Sequence, residues 1–266
     1  MLVGLRRFIP EPAKARLRQV RTVGAAQLLG DAYHGIMFRM KHRHGSSLWV
    51  TTNSPVEACF AAISATFPGG LTQLPSEIGA FVHHARTKSP LVALEIGSAT
   101  GGNALLLSEA IPTLTTLVCV DLHVRNRHQL RAFARSNIDL HLIDGSSRHE
   151  QTRERVADAL AGRKVDLLFI DGDHSFNGVF LDFFIYREYV SAGGLIAFHD
   201  IVPDNRLRFG EPRVGAYVGE VPAVWARLKN HYPAIEFVDD PSQEGLGIGV
   251  LDFDPEIQLR PLDLVR

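Results

Sequence analysis

The sequence of 266 residues has no long apolar runs and very little cysteine. None of its apolar runs approaches the roughly 18 to 20 residues of a membrane span, and the N-terminus lacks the apolar core of about 7 to 15 residues typical of a secretory signal. Cys59 and Cys119 lie far apart without CxxC spacing, which excludes a disulfide framework and a cysteine zinc site. Cys119 is predicted to be a small core residue. We therefore expect a soluble, cytoplasmic protein with no transmembrane segment.

Charge is nearly balanced overall but unevenly distributed. Residues 1–50 carry nine Lys or Arg against Glu11 and Asp31, a local charge of +7 in a chain of net charge −1. This basic N-terminal extension can face a membrane surface, an acidic partner or a neighbouring subunit, and a solvated helix face or a frayed terminus explains it equally simply. Aromatic residues such as Phe8 and Phe38 are sparse there, so no nucleic-acid partner is expected. A homo-oligomer formed through this extension is a further prediction.

Five apolar runs each end in a carboxylate: LVALE at Glu95, TLVCVD at Asp121, IDLHLID at Asp144, DLLFID at Asp171 and GLIAFHD at Asp200. Strands of a parallel sheet are buried on both faces and have this composition, and ligands bind beyond their carboxyl ends. The gaps between successive acids, by subtraction, are 26, 23, 27 and 29 residues. Each gap is long enough for a strand and one crossover helix. The five acids are therefore predicted to line one rim of the sheet.

The alternation of strands and helices predicts an α/β fold with a doubly wound sheet. Helices are predicted over 102–110, 127–135, 150–160 and 175–190, between strands that end at the five acids. The tail predicts a helix over 221–232 and two short strands, 235–239 and 247–253, of which one is antiparallel because no long crossover separates them. We divide the chain into the basic N-terminal extension 1–50, a helical cap segment 51–90 and the main domain 91–266.

The first strand leads into a glycine-rich loop, Glu95-Ile-Gly97-Ser-Ala-Thr-Gly101-Gly102. Glycine permits a tight turn and a close approach to a ligand ahead of a helix N-terminus. The spacing G-x-x-x-G-G differs from the G-x-G-x-x-G of dinucleotide folds, which disfavours a nicotinamide oxidoreductase. Glu95 suits a ligand with an ammonium group and would repel a pyrophosphate. Asp121 is placed to accept hydrogen bonds from ribose hydroxyls, and Asp144-Gly145-Ser146 to meet an adenine edge.

These motifs resemble the class I S-adenosylmethionine (AdoMet)-dependent methyltransferases. The block LLFIDGDHSFNGVFLDFFIYREYVSAGGLIAFHDI, with TQLPSEIGAF, VGEVPAVWARLK and EGLGIGVL, is similar to the branch that contains macrolide and rhamnosyl sugar O-methyltransferases and cephalosporin-hydroxylase-like proteins. The resemblance covers roughly residues 70–252. It implies a Rossmann-like, mostly parallel sheet of seven strands whose last strand is antiparallel. It also implies a cofactor site formed by Glu95, Gly97, Ser98, Ala99, Gly101, Asp121, Asp144, Gly145 and Ser146.

The candidates for chemistry follow the fourth and fifth predicted strands. Methyl transfer requires an aligned acceptor oxygen and removal of its proton, and a cation held by carboxylates assists both. The resemblance implies metal ligands at Asp171 and at an acid pair, where this chain has His199-Asp200; oxygen ligands favour Mg²⁺. The predicted metal set is thus Asp171, His199 and Asp200, and the predicted catalytic residues are Asp171, His174 and His199. A metal-free route with His174 or His199 as general base stays open.

The predicted function is transfer of the AdoMet methyl group to a hydroxyl oxygen of a small or glycosylated acceptor, assisted by Mg²⁺. The alternative is an AdoMet-binding partner subunit of an oxygenase that transfers nothing. Acceptor specificity is expected to come from residues 1–70 and the loop 202–219. In that loop, Arg206, Arg208 and Arg213 either meet an anionic substrate or lie in solvent.

Overall fold

The computed structural model describes residues 55–210 and 217–261, together with Gly24 and Asp263. The predictions about the basic N-terminal extension lie outside the described residues except for Gly24, and so does Arg213.

The described helices are α1 (Val56–Thr66), α2 (Pro75–Thr87), α3 (Gly102–Ala110), α4 (Arg127–Phe133), α5 (Glu150–Leu160), α6 (Phe176–Tyr186), α7 (Asn205–Phe209) and α8 (Val221–Leu228). The described strands are β1 (Val92–Ile96), β2 (Thr116–Asp121), β3 (Asp139–Asp144), β4 (Val165–Ile170), β5 (Val190–His199), β6 (Ala234–Phe237) and β7 (Ile248–Asp252).

All seven of these strands form one sheet, in the order β3-β2-β1-β4-β5-β7-β6. The strands from β3 to β5 are parallel, and β7 is antiparallel to both of its neighbours. This confirms the predicted Rossmann-like sheet of seven strands with an antiparallel last strand. The chain builds outward from β1 to β3 and then returns to β4 on the other side of β1. Beyond the carboxyl ends of β1 and β4 there is consequently a topological switch point, where ligands bind in open α/β sheets.

Two apolar cores cover the two faces of the sheet. Ala93 of β1 packs in the core built with α1, α2 and α3, whereas Leu94 and Ile96 belong to the core built with α5, α6 and α8. Alternate residues of a strand point to opposite faces, so burial on both faces explains why β1 has no exposed residue. Cys119 of β2 is fully buried, which confirms its prediction as a core residue.

Helix ends differ from the predictions near α6 and α7. The predicted helix 175–190 ends at Tyr186 and continues as one turn of 3-10 helix, Arg187–Tyr189, before β5 begins at Val190. The short helix α7 was not predicted. Asp204 caps it by accepting a hydrogen bond from the Leu207 N–H, and Gly210 ends it in the left-handed conformation. These two capping signals are present in the sequence. Among the described residues, no helix is long and apolar enough to cross a membrane.

The core between α2 and the sheet provides a test of the packing. Phe169 is 0 % exposed, and its ring lies 5.5 Å from that of Phe81. We expect Phe169→Ala to lower the free energy of unfolding by about 3 to 5 kcal/mol, because it removes a buried ring and leaves a cavity. Phe209→Ala is the control, since that side chain is 70 % exposed; it should change stability by less than about 0.5 kcal/mol. Urea unfolding measures both, and equal losses would contradict the assigned packing.

Candidate active site

A cavity of about 420 Å³ opens at the carboxyl ends of β1, β2, β3 and β4. Its wall contains five of the residues predicted to bind the cofactor: Gly97, Ala99, Asp121, Gly145 and Ser146. Asp171 also lines it, which brings one predicted catalytic residue to the same space. Of the remaining predicted cofactor residues, Glu95 and Ser98 are buried close to this wall, and Gly101 and Asp144 support neighbouring segments.

The loop after β1 is shaped by glycine at two positions. Gly97 has φ +92°, and a Cβ atom there would lie 1.9 Å from the backbone oxygen of Asp171. Gly101 has φ +91° at the start of α3, and a Cβ atom there would lie 2.5 Å from the Leu130 side chain. Only glycine meets both demands without strain. Gly97 therefore allows the β1 loop to pack directly on the loop after β4, and Gly101 allows the start of α3 to pack on Leu130 of α4.

Glu95 is a buried carboxylate that the protein only partly satisfies. It is 1 % exposed, and the Asn103 Nδ2 atom donates a hydrogen bond to its Oε1 oxygen at 2.8 Å. Its Oε2 oxygen has no hydrogen-bond partner in the described part of the chain. Burial raises the pKa of Glu95 to about 7. A buried oxygen of this kind is unfavourable alone and is well suited to a ligand that carries an ammonium group.

Asp121 and Asp144 have different environments, although each ends its strand. Asp121 accepts hydrogen bonds from the backbone N–H groups of Ala99 at 2.8 Å and His123 at 2.9 Å, which fix the carboxylate in the cavity wall. The Asp144 side chain accepts from the Val124 N–H at 2.9 Å and pairs with the Arg127 guanidinium. Asp144 thus ties β3 to the segment after β2, while the following Gly145 and Ser146 face the cavity.

Four predicted residues meet at the ends of β4 and β5. Asp171 Oδ1 lies 3.4 Å from His174 Nε2 and 3.5 Å from His199 Nδ1. Asp200 Oδ2 lies 3.5 Å from His174 Nδ1 and 3.4 Å from His199 Nδ1. The structure therefore brings together all the residues predicted for catalysis or for the metal, in a ring of two carboxylates and two imidazoles.

The charged groups of this ring shift one another's pKa values. Burial by itself lowers the pKa of His199, but the nearby charges of Asp171 and Asp200 outweigh it and raise that pKa. The pKa of His174 is raised in the same way against burial, chiefly by Asp171. Conversely, the two imidazoles lower the pKa of Asp171 although burial raises it. Perturbed pairs of this kind are concentrated at functional sites.

The ring also has the composition of a cation site. Ligand atoms of Asp171, His174 and Asp200 all lie within 4.8 Å of one another. His199, which the sequence placed in the metal set, is 3 % exposed and contacts both carboxylates from the buried side. The Asp200 Oδ1 atom is buried without a hydrogen-bond partner among the described residues. Two carboxylates with an unsatisfied oxygen fit a hard divalent cation such as Mg²⁺.

Two residues that contact the ring were not predicted. The Gln73 Nε2 atom donates to Asp171 Oδ2 over 3.4 Å, and the Tyr217 backbone oxygen lies 2.6 Å from His174 Nδ1. Gln73 belongs to the segment TQLPSEIGAF and Tyr217 to the loop 202–219. Both regions were singled out from the sequence, but these two residues were not. Arg208 of that loop donates to the backbone oxygens of Pro241 and Ser242, which gives it a structural role. Arg206 is exposed.

Residues 94–201, from β1 to just beyond β5, match the family model described as a methyltransferase domain. The match covers 108 of the 266 residues of the chain. The match confirms the predicted resemblance to methyltransferases over these residues, and the sheet has the strand order that the resemblance implies. A viral relative, uncharacterized protein R132 of Acanthamoeba polyphaga mimivirus, is 53% identical over 36 residues, which span 14% of this chain and 16% of that protein.

Two solved structures share the fold of this chain. The O-methyltransferase TomG from Streptomyces achromogenes, in complex with AdoMet, aligns with a TM-score of 0.52 and 14% identity over 84% of this chain and 96% of TomG. MycE from the mycinamycin biosynthetic pathway, in complex with Mg, S-adenosylhomocysteine and mycinamycin VI, aligns with a TM-score of 0.51 and 14% identity over 76% of this chain and 56% of MycE. At these identities the likeness extends to the fold.

The glycine-rich loop can be tested with a matched pair of glycines. Gly97 and Gly162 both have positive φ, but a Cβ atom on Gly162 would meet nothing within 4 Å. Gly162→Ala should cost about 1 to 2 kcal/mol of unfolding free energy from backbone strain. Gly97→Ala should cost roughly 2 to 5 kcal/mol, because overpacking against Asp171 adds to the strain. Urea midpoints compare them, and an equal cost would show that the close approach at Gly97 is unimportant.

Proposed function

We propose that the chain transfers the methyl group of AdoMet to a hydroxyl oxygen of a small or sugar-containing acceptor, with a divalent cation held by Asp171 and Asp200. The observation that carries this proposal is the position of Asp171, which belongs both to the wall of the cavity and to the ring of carboxylates and imidazoles. Cofactor and acceptor sites would then adjoin at one residue. The mycinamycin VI complex of MycE is consistent with an acceptor of this kind.

Each end of the cofactor has a proposed partner in this chain. The free Oε2 oxygen of Glu95 would bind the ammonium group of the methionine part, which is a charge-assisted hydrogen bond in a buried setting. Asp121 would hold the ribose hydroxyls with lone pairs left after its two backbone hydrogen bonds. Gly97 and Ala99 would allow the cofactor to approach the backbone, and Gly145 and Ser146 would flank the adenine.

AdoMet supplies a methyl group bonded to a positively charged sulfur, and a bound Mg²⁺ would lower the pKa of the acceptor hydroxyl and fix its oxygen. As the oxygen–carbon bond forms, the carbon–sulfur bond breaks and its electron pair remains on sulfur. The hydroxyl proton must leave in the same process. His174 is the proposed base: the contact of its Nδ1 atom with the Tyr217 backbone oxygen requires Nδ1–H. Its Nε2 atom would accept the hydroxyl proton, and Asp171 Oδ1, which lies 3.4 Å from Nε2, would stabilise the resulting imidazolium.

His199 has a different proposed role from His174. Its side chain is 3 % exposed, whereas that of His174 is 17 % exposed, so His174 is the imidazole within reach of an acceptor. His199 contacts Asp171 and Asp200 at once and would keep the two carboxylates at the spacing that a shared cation requires. Neither an oxygenase partner subunit nor a nicotinamide oxidoreductase gains support from any observation in this site.

Asp171→Ala should separate cofactor binding from transfer. We expect AdoMet to bind the variant with nearly unchanged affinity, while methyl transfer to a panel of sugar and phenol acceptors falls by at least about 1,000-fold, because both cation binding and acceptor alignment are lost. Calorimetry and transfer of labelled methyl groups measure the two effects. Asp158→Ala, at an exposed position of α5, is the control. Full activity in Asp171→Ala would remove this residue from the mechanism, and no heat from AdoMet with the unmodified protein would refute the function itself.

The affinity for AdoMet should depend on pH through Glu95. Because burial raises the pKa of Glu95 to about 7 in the unliganded protein, the carboxylate that binds ammonium is depleted below that pH. We expect the dissociation constant to be constant above about pH 8 and to increase by up to about tenfold for each pH unit below 7, with a proton released on binding. Calorimetric titrations with S-adenosylhomocysteine check this. Glu95→Gln should bind more weakly and lose the pH dependence centred near pH 7, while any dependence through Asp182 would lie at lower pH. An unchanged profile in that variant would exclude Glu95 as the source.

A further inference from the structure

Asp182 is a buried carboxylate of α6 that reaches the cofactor cavity and was not predicted as a site residue. It is 1 % exposed and forms part of the cavity wall together with Ser147 and Gly172. The Ser147 Oγ atom donates a hydrogen bond to its Oδ1 oxygen at 2.6 Å. One of the two carboxylate oxygens therefore holds the loop that follows β3.

The second oxygen, Oδ2, accepts no hydrogen bond from any residue that the structure describes. It lies 3.4 Å from the point where a Cβ atom on Gly172 would be, so the absence of a side chain at Gly172 leaves Asp182 next to the cavity. Burial raises the pKa of Asp182 to about 6, so the group is still an acceptor-only carboxylate at pH 7.5. An acceptor in the cavity wall that has no protein donor is available to a ligand, and a ligand with an N–H group would satisfy it.

Holding the loop does not by itself require a carboxylate at this position. The hydroxyl of Tyr186 donates to the Ser147 backbone oxygen at 2.7 Å, and Arg148 pairs with Asp173 at 2.9 Å. These contacts fix the same loop from two further sides. A neutral acceptor at residue 182 could accept the hydrogen bond from Ser147 equally well, and burying it would cost less desolvation free energy than burying a carboxylate. The charge and the free oxygen of Asp182 therefore point to a ligand.

The neighbouring wall has the features of a purine site. Leu122 exposes 51 % of its surface beside Asp121, and Gly145 and Ser146 continue the wall toward Ser147 and Asp182. An apolar surface suits the face of a base, and polar groups at its edge read the base by hydrogen bonding. Adenine carries an exocyclic amino group as a donor at its edge. Asp182 offers the matching acceptor in the same cavity wall.

We propose that Asp182 selects adenine in the cofactor by accepting a hydrogen bond from the exocyclic amino group at Oδ2, while Oδ1 holds Ser147. The proposal rests on the proposed function, since it needs an adenine-containing cofactor in this cavity. It assigns base discrimination to a helix residue far in sequence from the loops predicted to bind the cofactor.

The test compares two ligands by calorimetry at pH 7.5. S-adenosylhomocysteine carries the amino group, and S-inosylhomocysteine carries a carbonyl oxygen in its place. The unmodified protein should prefer the first by at least about 100-fold, because the carbonyl oxygen would face the carboxylate. In Asp182→Asn, the Asn oxygen can still accept from Ser147 while the amide N–H₂ group replaces Oδ2. This variant should bind the adenosyl ligand at least about tenfold more weakly, bind the inosyl ligand more tightly and reduce the preference to below about tenfold.

Two control variants separate recognition from loop positioning. Ser147→Ala removes the hydrogen bond to Oδ1 and keeps the carboxylate, so affinity can fall but the preference for the adenosyl ligand should persist. Glu95→Gln acts at the methionine end and should lower the affinity for both ligands by the same factor.

A preference that is absent in the unmodified protein, or that Asp182→Asn leaves intact, would overturn the role of Asp182 alone. If the unmodified protein binds neither ligand, the proposed function fails as well. The preference of the unmodified protein tests the inference even if a variant does not fold.

Discussion

The site depends on the contact between the backbones of β1 and β4 at their carboxyl ends. The Asp171 N–H donates to the Ile96 oxygen at 2.8 Å, and Gly97 packs so closely on the Asp171 carbonyl that only hydrogen fits between them. This contact fixes the cofactor loop relative to the residue that begins the catalytic ring. For the proposed methyl transfer between two bound molecules, the distance between their binding sites has to be set by rigid backbone. Parallel strands that meet at a switch point supply that rigidity.

Acidic residues around the cavity are distinguished by what already satisfies them. Asp144 is engaged by a backbone N–H group and an arginine, and its role is to hold neighbouring segments. Glu95 keeps its Oε2 oxygen buried without a donor among the described residues, and Asp182 accepts a described hydrogen bond only at Oδ1. Burial raises the pKa of both groups. Asp171 and Asp200 instead share two imidazoles. A carboxylate with an unmet oxygen is suited to binding, and a saturated one to structure.

Much of this arrangement was predictable because strand ends carry a simple signal. The five apolar runs that end in acids correspond to the five parallel strands, and residues at their ends reach the cavity or the ring. The family resemblance grouped His199 and Asp200 with Asp171, and the structure brings the three together. The contributions of Gln73, Tyr217 and Asp182 were not predictable, because each lies in a loop or helix whose path depends on packing against distant segments.

The sequence by itself determined the class of fold, the side of the sheet that carries the site and the acids at that side, because periodicity and strand-end composition are local properties. The tertiary structure alone decided which oxygen of each acid is satisfied, which imidazole is accessible and which helix residue lines the cavity. These depend on contacts between segments far apart in the chain, such as Ser147 with Asp182 and His174 with Tyr217. Hydrogen-bond partners and burial are properties of the packed molecule, and they define the chemistry proposed for each acid.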